Sequence, residues 1–195
     1  MDKERKEVEI PDLSVVAKER KRLHGRSRFS GILNSTIAIL LVVAAAAVLI
    51  STLWMPVLEI YGSSMNPLLK DGNIVILTKT GNLEQGDVIA FYYNNKILVK
   101  RVIATGGDWV NMDENGNVAV NDKVLDEPYV DSPALGQCDI TFPYQVPEES
   151  YFVMGDHRSV SIDSRSKQIG CVRQEQVVGK IDFRVWPLNK MKWIS

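Results

Sequence analysis

The chain has 195 residues, 45% of them apolar, and a formal net charge of −1. That length suits one modest folded domain beside a membrane segment and excludes a second large domain. The near-neutral total hides an asymmetry: residues 1–30 hold nine Lys/Arg against six Asp/Glu, and the remainder fourteen against eighteen.

Residues 1–30 read as a basic tail. Val8, Ile10, Leu13, Val15 and Val16 are its only clustered apolar side chains, too few for a sustained stripe, so a mobile segment with at most one short surface helix is expected. No charge occurs across 29–58, and the apolar run 37–55, extended by Ile32 and Leu33, covers a hydrocarbon core of ~30 Å at ~1.5 Å per residue. A transmembrane anchor helix over 31–57 follows. A removable secretion signal has an apolar stretch of roughly 7–15 residues ending at a small-residue cleavage site, whereas the alanines at 44–47 run on into Val48, Leu49 and Ile50. A retained anchor is the reading, with a buried core helix as its alternative. Lys18, Arg20, Lys21, Arg22, Arg26 and Arg28 precede the run, and the first charge beyond it is Glu59. The positive-inside bias then puts the amino terminus in the cytoplasm and everything beyond Trp54 outside. Because Glu19 interrupts the basic run and a membrane span abuts it, we read an orientation signal and not a nucleic-acid surface.

Residues 58–195 read as an extracytoplasmic, mostly β domain. Short β-like segments lie at 73–78, 88–93, 97–105, 109–112, 118–120, 151–154 and 177–185, with turn chemistry at Asn94-Asn95 and Asn115-Gly116. The lack of long 3.6-residue periodicity points to an antiparallel sheet. Residues 126–150, with Pro128, Pro133, Pro143 and Pro147, read as a surface excursion without catalytic groups. Trp186, Pro187, Met191, Trp193 and Ile194 make an apolar carboxyl end that is expected to complete the core, contact with lipid headgroups being the other option. Cys138 and Cys171 are the only cysteines. Outside the cytoplasm they could pair, but sequence gives no distance between them, and no His/Cys cluster accompanies them to hold a metal.

A serine hydroxyl attacks a carbonyl only when a base takes its proton, and histidine is the usual base. Of the two histidines, His24 lies on the cytoplasmic side. His157, beside Asp156 and Asp163, leaves a Ser-His-Asp arrangement with Ser64 open. Lys100 is the other base. At an ordinary pKa of about 10.4, roughly one lysine amine in 2,500 is neutral at pH 7, so a catalytic lysine must sit where burial disfavours its ammonium. If 97–103 is a strand, Lys100 shares a face with Leu98 and Val102 while Arg101 points the other way, permanently charged and suited to an ion pair. Alone, a lysine in an aliphatic strand also reads as a snorkelling edge residue, and Gly62-Ser63-Ser64-Met65 as a turn.

Several stretches together resemble the type I signal peptidases, membrane-bound serine proteases that remove signal peptides. Gly62, Ser64, Met65 and Pro67 match that family's Gly-x-Ser-Met-x-Pro pattern. Lys100, Arg101, Val102 and Ile103, followed by Gly107 and Asp108, match its lysine motif, and residues 86–91 match a Gly-Asp-Val-Ile-x-Phe strand. The late block Gly-Asp-Asn-Arg-x-x-Ser-x-Asp-Ser-Arg is matched over 155–165, except that His157 replaces the asparagine. The resemblance is to the short Gram-positive form and covers most of 58–181. It implies Ser64 as nucleophile and Lys100 as general base, acting through an acyl-enzyme and cutting after small residues in an Ala-x-Ala-like pattern. Ser161 would hydrogen-bond the lysine amine, and Asp163 with Arg165 and Asp156 with Arg101 would be structural ion pairs. Ile60, Met65, Leu69, Leu98 and Val99 would line the substrate pockets, although any one of them also reads as core. One oxyanion donor would be the Ser64 N–H; a position where some members add a second donor is Gly62 here. His157 is expected to take over the asparagine's hydrogen bonding.

Eight residues separate Pro56 from Ser64, which keeps the nucleophile within ~30 Å of the membrane edge. We expect a monomer whose partners are preprotein signal peptides and the lipid bilayer, with no nucleic acid, metal or organic cofactor. A non-proteolytic relative from pilus assembly is the rival from another class, although such proteins typically lack the serine or the lysine. A self-cleaving repressor would carry a DNA-binding helix pair where this chain has an apolar run.

Overall fold

The computed structural model describes residues 13–54, 56–79 and 81–194. The chain divides into one unit ending at Ile50 and a second from Ser51 onward. The described residues of the first belong to one helix, α1 (Leu13–Trp54), whose last four residues fall in the second. It begins inside the basic segment and not at its end, because Leu, Ala, Lys, Glu and Arg dominate 13–23 and no proline interrupts them. The rest of the expected tail, residues 1–12, lies outside the described residues. Within α1, the window Ile32–Leu49 has a mean hydropathy of 2.5 and none of it is buried. The helix is long and apolar enough to cross a membrane. Thr36 returns its hydroxyl to the Ile32 carbonyl at 2.9 Å and so carries no unmet donor along that face.

The second unit is antiparallel β. Its strands are β1 (Val57–Glu59), β2 (Ile74–Thr78), β3 (Val88–Tyr93), β4 (Lys96–Thr105), β5 (Trp109–Met112), β6 (Val118–Val120), β7 (Lys123–Val124), β8 (Tyr144–Gln145), β9 (Ser150–Met154), β10 (Val172–Arg173), β11 (Val177–Trp186) and β12 (Lys192–Trp193). The larger sheet runs β1-β2-β11-β3-β4-β9-β10, with β12 also on β11, and the smaller runs β7-β6-β5-β8. All seven expected segments are strands to within a residue or so. The hairpin between β3 and β4 turns at Asn94, whose φ of 50° lies in the left-handed region that asparagine tolerates better than most residues.

Three apolar clusters hold the unit together. One joins Ile60, Met65 and Leu69, on either side of Ser64, to Val75, Leu77, Val88, Ala90 and Ile181. A second packs Ile89, Phe91, Val102 and Val153. The third lies against the smaller sheet and centres on Phe152, which is fully buried and touches the rings of Phe142 at 6.5 Å and Tyr144 at 5.8 Å.

Two expectations need correction. Residues 126–150 are not only a surface excursion: β8 pairs with β5, and Ile140, Phe142, Tyr144 and Val146 pack into the third cluster. At the carboxyl end only Ile194 completes the core, at 4% exposed, while Trp186, Met191 and Trp193 are 49–69% exposed. The two-residue β12 is an edge strand, so its residues have no second layer to face. Trp193 instead leans on Phe183 with centroids 5.0 Å apart. Cys138 and Cys171 are both free. Burial holds the Cys171 thiol above its ordinary range.

Replacing Phe152 with alanine should cost about 3–5 kcal/mol, because the cavity is walled by two other rings and cannot collapse. Chemical denaturation followed by tryptophan fluorescence checks this.

Candidate active site

Ser64 sits in the turn that joins β1 to β2. Met65 and Leu69, at 2% and 0% exposed, pin that turn into the core, with a Leu69 N–H to Met65 carbonyl bond of 2.8 Å between them. Before the serine, the Gly62 N–H donates to Asp71 Oδ1 at 2.7 Å. Gly62 has φ of +91°, a conformation a serine there would strain to adopt, which fits the lack of a hydroxyl at that position. Among the described residues the Ser64 N–H has no acceptor within the protein.

β4 brings Lys100 to the same place, and its Nζ donates to Ser64 Oγ at 2.7 Å. Lys100 is 4% exposed, and burial is the largest influence on its amine, lowering the pKa from 10.5 to about 8. Asp163 and Asp156 push it upward and Arg165 pushes it down, and burial wins. At pH 7 roughly one such amine in ten is neutral, against one in thousands for a solvated lysine.

The loop after β9 closes over the pair. Its Gly155 admits no side chain: a Cβ there would lie 2.5 Å from the Ser64 carbonyl oxygen and would also collide with Ser161. The next residues tie this loop to the Ser64 turn, the His157 N–H donating to the Ser64 carbonyl at 3.0 Å. Asp163 takes both Arg165 Nε and Nη2 at 2.8 Å, with each side chain fully buried, and its Oδ2 also accepts the Gly155 N–H at 3.0 Å. Arg101 holds Asp156 through Nε at 2.9 Å and Nη2 at 2.8 Å, and donates to the Gly86 carbonyl at 2.7 Å. Both expected ion pairs are therefore formed.

Three expectations meet a different geometry. Ser161 Oγ is buried with no hydrogen-bond partner among the described residues, so the expected bond to the lysine is not made. His157 Nδ1 is likewise buried and unpartnered, and the ring neither pairs with a carboxylate nor bonds the serine, so neither a Ser-His-Asp arrangement nor the asparagine's hydrogen bonding is present. Ile60, Met65, Leu98 and Val99 do line a cavity of about 100 Å³ beside Ser64 and Lys100, but Leu69 does not. One helical turn past Met65, it faces the core.

The cavity wall also includes Leu58, Tyr61 and Ile97, which sequence patterns did not single out. Its two sides are strand edges. β1 pairs only with β2, and 97–99 of β4 pair with β3 but not with β9, which joins at Arg101. Further support comes from the proline-rich segment. Glu127 pairs with Arg158, Tyr129 places its ring 3.9 Å under the Arg101 guanidinium, and the Ala134 and Leu135 carbonyls accept from Arg165. Nothing local in the sequence announces these contacts, since each partner lies about 30 residues away. No group of metal-binding side chains occurs among the described residues.

The family described as signal peptidase, peptidase S26, matches residues 32–186. Signal peptidase IB of Staphylococcus aureus (strain MRSA252) is 41% identical over 154 residues, 69% of this chain and 79% of its own length. Signal peptidase I of Bacillus caldolyticus is 38% identical over 145 residues, 66% of this chain and 78% of its own length. A solved signal peptidase I from Enterococcus faecalis V583 is 30% identical, covers 51% of this chain and 96% of its own, and superimposes with a TM-score of 0.43. With a match across most of its length and relatives at this identity, the chain belongs to the signal peptidase family, peptidase S26.

Proposed function

We propose that this chain is a membrane-anchored serine endopeptidase that removes signal peptides from exported preproteins, with Ser64 as nucleophile and Lys100 as general base. The observation that carries the reading is the 2.7 Å contact between a desolvated amine and a serine hydroxyl, beside an apolar cavity with open strand edges. The names of its relatives point to the same substrate class. A non-proteolytic assembly role would have no use for a buried lysine held against a serine.

Ser64 Oγ attacks the scissile carbonyl carbon while Lys100 Nζ takes its proton. The resulting ammonium protonates the departing amine as the C–N bond breaks, leaving an ester on Ser64. Water then attacks that ester, with the same amine accepting its proton and returning one to Ser64 Oγ, and the signal peptide leaves with a free carboxylate. The uncommitted Ser64 N–H is one donor for the oxyanion. With Gly62 lacking a hydroxyl, the second donor falls to Ser63 or a water. Ser161 stands beside Gly155 with a free hydroxyl, which supports a role in steering the amine once substrate excludes water.

A substrate strand added between the edges of β1 and 97–99 would place the first and third residues before the cut on one face. A hollow of about 100 Å³ suits alanine-sized side chains there. The apolar window Ile32–Leu49 supports anchoring in a bilayer. The basic run before it supports a cytoplasmic amino terminus with 58–195 outside.

In a preprotein cleavage assay with the full chain in detergent, Ser64→Ala and Lys100→Ala should each abolish cutting; persistent cutting by the lysine variant would overturn the mechanism. His157→Asn should keep most activity, whereas a loss as deep as that of Lys100→Ala would restore the histidine as base. For the unaltered enzyme, kcat/KM should rise about ten-fold per pH unit and level off above about 8, because a lysine with a lowered pKa is neutral only above that value. Gly155→Ala should lower kcat by about 100-fold, since its methyl group displaces the nucleophile's own backbone.

A further inference from the structure

Two hollows follow one another along the turn beyond Ser64. The first, about 250 Å³, is lined by Asn66, Pro67, Lys70, Asp131, Asp156 and His157. The second, about 570 Å³, shares Pro67 and Lys70 with it and adds Arg101, Arg184, Lys190 and Lys192, with no acidic side chain in its lining.

Arg101 is committed to Asp156, but Lys70, Arg184, Lys190 and Lys192 form no ion pair among the described residues. Arg184 is fixed in place, donating from Nε to the Lys190 carbonyl at 2.8 Å and from Nη1 to the Leu68 carbonyl at 2.7 Å. These bonds orient the guanidinium without neutralising it. Lys192 is its direct cross-strand partner on β12, a position where like charges repel. Such a cluster is relieved by an anion, and its hollow shares Pro67 and Lys70 with the smaller one, whose wall includes His157, the residue that donates its N–H to the Ser64 carbonyl.

We propose that this groove receives the part of the preprotein that follows the cut, and favours acidic side chains there. The inference rests on reading Ser64 and Lys100 as the catalytic pair. With Ile60, Met65, Leu98 and Val99 taking residues before the cut, the chain leaving the other side of the serine meets Asn66 and His157 first and the cations next. The apolar part of the groove is Pro67, Leu68, Pro128, Tyr129 and Pro187, a surface suited to extended peptide. A lipid headgroup fits less well, because the exposed Trp186, Leu188, Met191 and Trp193, which would seat acyl chains, do not line it.

The test uses the full chain in neutral detergent and three peptides identical up to the cut. Within roughly eight residues beyond it, ~26 Å of extended chain, they carry aspartates, neutral residues or lysines. At low salt kcat/KM should fall in the order acidic, neutral, basic, with about a five-fold advantage of acidic over neutral. That advantage should shrink as salt rises. The double substitution Lys190→Glu with Lys192→Glu should reverse the acidic-to-neutral ratio. Equal rates on all three peptides, or an acidic preference that survives the double substitution, overturn the groove while leaving the catalytic pair intact. So does a double variant with an unchanged ratio but weakened binding to vesicles of anionic phospholipid, which would make the site a lipid one. Failure of the unaltered chain to cut even the neutral peptide sinks the catalytic reading, and the groove with it.

Discussion

The arrangement depends on denying a buried amine both water and a counter-ion. Lys100 is almost fully enclosed, yet Asp163 and Asp156 are close enough to stabilise its charge. Each carboxylate is instead gripped at both oxygens by a guanidinium, Asp163 by Arg165 and Asp156 by Arg101. Arg165 then repels the ammonium in its own right. The nearest anions are thus largely cancelled, and desolvation decides the balance. Buried ion pairs of this kind contribute little net stability compared with apolar packing; their value here is in holding the acids away from the amine.

Geometry and electrostatics come from the same loop. Residues 155–165 fold back under the serine because Asp163 accepts the Gly155 N–H, Ser164 bridges Val153 and the Gly170 carbonyl, and Arg165 reaches across to 134–135. Gly155 then lies so close to the Ser64 carbonyl that no other residue fits. The nucleophile turn is anchored from the opposite direction by Met65 and Leu69 in the first cluster. A hydroxyl held between a packed turn and a pinned loop loses little freedom when it meets its base, which is the preorganisation that catalysis requires.

Three buried polar atoms are unmatched among the described residues, all close to this centre: Asn66 Oδ1, Ser161 Oγ and His157 Nδ1. Buried polar groups are normally satisfied, and exceptions concentrate where something else is to bind. Ser161 and His157 lie on the loop that faces the Ser64 turn, one against Gly155 and the other lining, with Asn66, the hollow that shares Pro67 and Lys70 with the basic groove. Hollows thus lie on either side of Ser64 along the chain, while the amine itself is enclosed.

Seven of the strands and the apolar helix were legible in the amino-acid order, because alternation and an uninterrupted apolar run are local signals, whereas the serine, the lysine and both ion pairs were implied by motifs shared with the signal peptidases. The strands β1, β7, β8, β10 and β12 were not: four of them have only two residues, and β1 runs straight on from the apolar stretch, whereas the equally short β6 follows the Asn115-Gly116 turn. Nor was the start of α1 at Leu13, where helix propensity outweighed the density of charge. Leu69 looked like a pocket residue and proved to be core, Trp186 and Trp193 looked like core and proved to be exposed, and Glu127 and Tyr129 gave no sign of their roles. Side-chain type and spacing by themselves determined an antiparallel β unit and an apolar helix, while the serine, the lysine and the two acid–base pairs were implied by the resemblance to the signal peptidases. Only the tertiary structure decided that the amine would be dry, that its neighbouring acids would be occupied, and that four cations would be left without an ion pair among the described residues. Burial and pairing depend on what residues far apart in the chain bring to the same place.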